Sequence, residues 1–199
     1  MHVIVGLGNR GPRYAGTRHN AGFLVVEELA RRSGAEFRRV GRGDAAREEA
    51  RATLGAGGPG SDALLVKPQA YMNLSGAAVQ AVLARYRAVP GDLLVVHDDV
   101  DLPLGRLRFK QAGGAGGQKG VRHVIDRIGP EFLRLKIGVS RPPEGWATEA
   151  WVLSRFGPDD RDLVSRVVAA AADALEALPA EGLEAVMNRV NGLDLAAID

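Results

Sequence analysis

Residues 2–23 read HVIVGLGNRGPRYAGTRHNAGF, and this stretch decides the fold class. The apolar run His2-Val3-Ile4-Val5 ends at Gly6 and reads as a buried strand. Gly6-Leu7-Gly8-Asn9-Arg10-Gly11 then spells the dinucleotide-binding G-x-G-x-x-G pattern. Its surroundings argue against that use. In a dinucleotide site the third glycine opens a helix whose N-terminus holds the pyrophosphate. Here Gly11 is followed by Pro12, Arg13, Tyr14, Ala15 and Gly16, and no helical period begins before Asn20. The acidic residue expected at a second strand end about 20 positions on is also missing; Glu27 and Glu28 fall inside an amphipathic helix. What the loop does gather is Asn9, His19 and Asn20. Polar residues carried on loops by a rigid scaffold are where binding and catalysis concentrate.

Outward from this loop, apolar patterning predicts strands at 2–7, 51–54, 63–67, 93–97, 107–110 and 133–139. It predicts helices at 21–32, 76–87, 120–128, 160–178 and 181–190. Alternating strand and helix signals imply an α/β fold with a mixed, largely parallel central sheet. Leu93-Leu94-Val95-Val96 has the continuous apolar character of a strand covered on both faces. Two strand-like runs within 51–67, joined by Gly-Ala-Gly-Gly-Pro-Gly-Ser, read as a hairpin; polar 38–47 reads as loop. Residues 113–117, GGAGG, form a glycine-rich loop before a helix. With no internal repeat and no linker, residues 1–199 read as one domain.

The chain has no cysteine, which excludes disulfides, a thiolate nucleophile and a cysteine zinc site. The first residues lack a basic segment followed by a long apolar one, so no signal peptide is expected. No apolar run reaches membrane-spanning length, and the cytoplasm is the expected compartment. Net charge is only +2, yet residues 1–143 carry 22 Lys and Arg against 13 Asp and Glu, whereas 144–199 carry 4 against 11. A basic first part of this kind suits a polyanionic partner.

Polar residues recur where strands end: Asn9 and His19 after the first, Lys67–Gly76 (KPQAYMNLSG) after another, and His97-Asp98-Asp99 after the buried one. In open α/β sheets, ligands bind beyond the carboxyl ends of strands, and this would bring Asn9, His19, Asn73 and Asp98 together. Asn73 and Ser75 have a plainer reading as helix N-caps. His2 lies near the terminus and His123 on a basic helix face, and neither is assigned a role. His97 reads as structural. His97, Asp98 and Asp101 are the right residue types for a metal but match no known ligand spacing, so no metal is expected. No G-x-S-x-G elbow is present. What remains is a histidine with an aspartate and amides. A histidine near its usual pKa of ~6.5 can deprotonate water, an aspartate can fix its tautomer, and an amide can stabilise an oxyanion. This set suits hydrolysis of an activated ester without a covalent intermediate.

The stretches GLGNRGPRYAGTRHNAGF, KPQAYMNLSG, HDDVDLPLGRLRFKQAGGAGG and FLRLKIGVSRP, with a weaker VLSRF, occur in the same order in bacterial peptidyl-tRNA hydrolases, and the chain resembles that family over residues 3–156. The resemblance implies a single three-layer α/β/α domain and a monomeric, cofactor-free enzyme of translation. Such an enzyme cleaves the ester between peptide and tRNA and so recycles the tRNA. It implies His19 as catalytic base with Asp98 as its partner. Asn9 and Asn73 become the amides holding the peptide end, and Tyr14, Asn20 and Met72 the lining residues. It places Arg108, Lys110 and Lys136 among the basic contacts to the tRNA acceptor region. Two positions depart from the family pattern. Arg10 replaces a usual proline, and Gln118-Lys119 replaces a usual His-Asn pair. Lys119 is expected to meet a phosphate near a helix start. It is also the residue that would suit a non-catalytic RNA-binding relative.

Overall fold

The computed structural model describes residues 2–55 and 60–197. Alternate apolar side chains of the central strands feed two separate cores, and this alternation creates the layers. Strand β1, His2–Gly6, sends Val3 and Val5 to one face and Ile4 to the other. Strand β4, Ser61–Pro68, divides Leu64 and Val66 from Ala63 and Leu65 in the same way. Strand β5, Leu93–Asp99, divides Leu93 and Val95 from Leu94 and Val96. Helices α2, Ser75–Tyr86, and α3, Lys119–Ile128, cover the first face with Val79, Val82, Val121 and Val124. Helices α1, Ala21–Ser33, α5, Arg161–Glu181, and α6, Leu183–Asn191, cover the second with Val25, Leu29, Leu175 and Val186. The result is the expected three-layer α/β/α domain.

The sheet has seven strands in the order β2-β3-β4-β1-β5-β7-β6. The four central strands β4, β1, β5 and β7, Leu133–Gly138, are mutually parallel. The outer strands β2, Arg38–Val40, β3, Arg47–Leu54, and β6, Leu107–Gln111, add antiparallel pairs at the edges. The pairing of β3 with β4 is the expected hairpin; residues 56–59 of its turn lie outside the described residues. No helix among the described residues is long and apolar enough to cross a membrane.

Residues 38–47 are not simply loop: Arg38–Val40 is a strand paired with Arg47, Glu48 and Glu49, so β3 also begins four residues earlier than the pattern suggested. Two exposed arginines and one half-buried valine leave no apolar period to read, and charge on an edge strand protects it from further pairing. Helix α5 runs past Pro179 to Glu181, because a proline in the last turn removes only one hydrogen bond. The break before α6 falls at Gly182, whose φ of 80° ends the helix. Helix α4, Thr148–Val152, was not anticipated; it is one short turn without a side-chain cap.

Gly6 and Gly22 of the opening stretch serve helix packing. A Cβ on Gly6 would stand 2.2 Å from the Gly22 carbonyl oxygen, and one on Gly22 would stand 2.3 Å from the Val96 oxygen and 2.5 Å from the Leu7 nitrogen. Backbone cannot yield as a flexible side chain can. Gly22→Ala is therefore expected to destabilise the fold by about 1–3 kcal/mol or more. Thermal denaturation of the variant measures this, and an unchanged melting temperature would contradict the close-approach account.

Candidate active site

The parallel strands β4, β1 and β5 all end at one edge of the sheet, and the loops that follow them meet there around a cavity of about 570 Å³. Asn9, Tyr14, His19, Met72, Asn73 and Asp98 line its wall, together with Gln118 and Lys119 from the start of α3. Sequence reasoning had drawn these residues from four separate stretches. His19 Nδ1 lies 2.7 Å from Asp98 Oδ2, although the two are 79 positions apart. Asp98 is 3% exposed, so its charge must be met by protein groups. Burial alone would push its carboxyl up. The attraction of His19 and hydrogen bonds from His19 and Gln118 outweigh burial and hold it below the usual carboxylate range.

Gln118 joins this pair to the scaffold. Its Nε2 donates to Asp98 Oδ1 at 3.0 Å, and its Oε1 accepts from the Val121 N–H at 2.8 Å, capping α3. One amide thus serves a helix N-terminus and the carboxylate. Asn9 is set in a comparable way. The Met72 N–H donates to its Oδ1 at 2.8 Å, which leaves Nδ2 as the donor still available. Asn20 does not join the cavity wall. Its Oδ1 accepts from the Asn9 N–H and its Nδ2 donates to the Asn9 carbonyl, so it fixes the main chain of Asn9 from beneath. Neither Asn73 nor Ser75 caps α2. Leu74 occupies that position, and the Gly76 N–H instead donates to His123 Nδ1 at 3.0 Å.

His19 is held from behind by its neighbour. The Arg18 N–H donates to the Ser154 carbonyl at 3.0 Å. Its guanidinium donates to Ser154 Oγ and the Arg155 carbonyl, approaches Asp160 at 3.4 Å and stacks 3.6 Å from the centroid of Trp151. No sequence signal separated Arg18 from the many surface arginines of this chain. His97 is buried in the same region, with Nδ1–H donating to the Asp98 carbonyl at 2.8 Å, and burial holds its ring below the ordinary histidine range.

The basic residues are arranged less simply than the sequence suggested. Arg108 pairs in register with Lys136, and Lys110 with Arg134, so all four side chains leave the same side of the sheet as α3. Arg108 and Lys110 are exposed outside the cavity wall. Lys136 forms an ion pair with Asp99. Lys119 lies 3.6 Å from Glu149 of α4 across the cavity mouth. Arg134 is 1% exposed, with its guanidinium on the carbonyls of Ala112, Gly113 and Pro130, and so carries the glycine-rich loop. Among the described residues no cluster of three or more His, Cys, Asp or Glu could hold a metal ion.

A family model described as peptidyl-tRNA hydrolase matches residues 3–197. The chain is 45% identical to the peptidyl-tRNA hydrolase of Symbiobacterium thermophilum over 190 residues, 95% of this chain and 98% of that one. It is 48% identical to that of Rubrobacter xylanophilus over 187 residues, 94% of this chain and 98% of that one. The crystal structure of peptidyl-tRNA hydrolase from Acinetobacter baumannii superposes with a TM-score of 0.88 at 33% identity, covering 98% of this chain and 96% of that one. With the fold and a sequence match over nearly the whole chain in agreement, the chain belongs to the peptidyl-tRNA hydrolase family.

Proposed function

We propose that this hydrolase cleaves the ester between the peptide and the 3′ ribose of peptidyl-tRNA with water activated by His19 and Asp98, protein side chains alone supplying the acid–base chemistry. The observation that carries this reading is the 2.7 Å contact between His19 Nδ1 and the buried Asp98 carboxylate in the cavity wall. With Nδ1–H committed to Asp98, the neutral ring offers the Nε2 lone pair to water. Water oxygen attacks the ester carbonyl as its proton passes to Nε2, and Asp98 stabilises the resulting imidazolium. Asn9 Nδ2 and the Asn73 amide donate to the oxyanion. The bond to the ribose oxygen then breaks, that oxygen takes the proton from Nε2, and free peptide and tRNA leave. Tyr14 and Met72 pack against the substrate, and Asn20 acts through Asn9. Lys110, Arg108 and Lys119 attract phosphates of the acceptor end, Lys119 by exchanging Glu149 for phosphate. The enzyme works as a cytoplasmic monomer.

Three outcomes test this reading. His19→Ala should lower kcat by about 10²–10⁴-fold on N-acetylaminoacyl-tRNA while tRNA affinity persists; near wild-type turnover would remove His19 from the mechanism. Gln118→Glu keeps an acceptor for the Val121 N–H but sets a second carboxylate against Asp98. Loss of a hydrogen bond to a charged group is worth about 1.5–3 kcal/mol, so kcat should fall about 10-fold or more. The acid limb of the pH–rate profile should also move to higher pH, because a second carboxylate beside Asp98 favours proton uptake by the coupled His19–Asp98 pair. A pH–rate profile identical to wild type would show that Gln118 does not tune Asp98. Lys110→Ala should raise KM with little change in kcat and flatten the salt dependence by about one phosphate contact. Lys136→Ala should do so less, because its charge is already matched by Asp99. Equal effects in the two variants would mean that the Asp99 pair opens on binding.

A further inference from the structure

The sheet separates the charges of this chain. On one face, α5 and α6 hold Arg161, Arg166 and Arg189 against Asp162, Asp173, Glu176, Glu181 and Glu184. On the other face, α2 and α3 hold Arg85, Lys119, Arg122 and Arg127 against Asp126 alone, and Arg87 follows as the C-cap of α2. Arg87, Arg122 and Arg127 are exposed, and among the described residues none of them forms an ion pair with a carboxylate. Other cations of the chain are matched, as Arg32 is by Glu28, Asp173 and Glu176.

The three arginines, of which Arg127 also donates from Nε to His123 Nε2 at 3.4 Å, are placed in sequence from the cavity outward. Beside the cavity lies a second depression of about 350 Å³, which shares Asn73, Gly117 and Lys119 with it and adds Arg122, His123 and the carboxylate of Asp126. Helix α3 leads away from there, and Arg127 lies eight residues beyond Lys119, about 12 Å along the axis. At that level α3 packs on the first turn of α2: a Cβ on Gly76 would stand 3.0 Å from Arg127 Cγ. Arg87 lies eleven residues past Gly76, about 16 Å farther, at the C-cap of α2 with a left-handed backbone. The opposite side, over the β6 edge, has Arg108 and Lys110 exposed among the described residues. Beyond it stands α6, which packs on β6 and carries Glu184, with Asp194 following.

We propose that the double-stranded stem behind the ester-bearing 3′ end lies along the α3–α2 face, its phosphates meeting Arg122, Arg127 and Arg87 in turn. This rests on peptidyl-tRNA being the substrate. It adds the direction in which the nucleic acid leaves the cavity and the residues that hold it far from the ester. Duplex RNA suits such a surface, because proteins recognise it largely by shape and through its phosphates and 2′-hydroxyls, and spaced unpaired arginines supply phosphate contacts without needing bases.

The test compares two substrates that share one ester: N-acetylaminoacyl-tRNA, and the N-acetylaminoacyl 3′-terminal oligonucleotide cut from it, which lacks the stem. The double variant Arg87→Gln/Arg127→Gln leaves the cavity wall intact, and glutamine keeps part of each stem. For intact tRNA, KM should rise about 5-fold and the slope of log affinity against log salt should fall by about two. For the oligonucleotide, kcat and KM should stay at wild-type values. An unchanged KM and slope on intact tRNA would overturn the proposal. So would equal losses on both substrates, which would indicate a general disturbance of the fold. It is likewise overturned if Arg108→Gln/Lys110→Gln removes the whole preference for intact tRNA over the oligonucleotide, since the stem then leaves over β6. If wild-type protein cleaves neither ester, the proposed function itself fails and this inference falls with it. Wild-type cleavage of both, with no change in the double variant, fails the inference alone.

Discussion

The main-chain contact at Gly22 is the constraint on which the site depends. The first turn of α1 enters so close to β1 and β5 that no side chain fits between Gly22 and the Val96 oxygen. This approach fixes the height of the preceding residues, and His19 stands three positions before Gly22. Asp98 stands two positions after Val96 on β5. The register of β1 on β5, which pairs Gly6 with Val96, sets the two chain segments side by side. A 2.7 Å contact between groups 79 residues apart thus follows from a backbone contact that has no chemistry of its own. Catalytic geometry held by main chain packing is rigid in a way that side-chain packing alone is not, and precise placement is worth several kcal/mol of barrier.

The second requirement is to keep a buried carboxylate charged. An uncompensated charge in the interior costs several kcal/mol. Asp98 is met by His19 on one oxygen and Gln118 on the other, and Gln118 is itself immobilised by capping α3. Arg18 performs the matching task for His19 from the other side. The acidic C-terminal part reaches back across the molecule through Ser154, Arg155 and Asp160 and grips the residue next to His19. The part of the chain that the charge count marked as unsuited to a polyanion therefore helps to build the loop that carries His19.

Most of the fold was legible because its central strands are apolar on both faces and its helices follow a clear period. The candidate site was legible where residue type and strand end coincide, as at Asn9, His19, Asn73 and Asp98. Legibility failed where the deciding partner is distant or the residue type is ordinary. Arg38–Val40 has no apolar face to reveal it as a strand. Gln118 is not a favoured N-cap, so neither of its two bonds shows in the sequence. Asn20 resembles a substrate amide by type and neighbourhood, yet both its polar atoms are used on Asn9. Lys136 and Lys119 read as free cations, but their carboxylate partners lie 37 and 30 positions away on other elements.

Those two ion pairs change how the basic surface works. Beside the cavity, Lys119 and Lys136 are each matched by a carboxylate, whereas farther out Arg87, Arg122 and Arg127 are not. The cavity wall itself presents amides and one compensated His–Asp pair. A neutral amide stabilises a developing oxyanion without drawing a phosphate into its place, whereas an unmatched lysine at that point would attract any phosphate that arrived. In the proposed function, separating the two tasks lets the nucleic acid be held by charge and the peptide ester by hydrogen bonds, with Glu149 matching the charge of Lys119 at the cavity mouth until a phosphate takes its place.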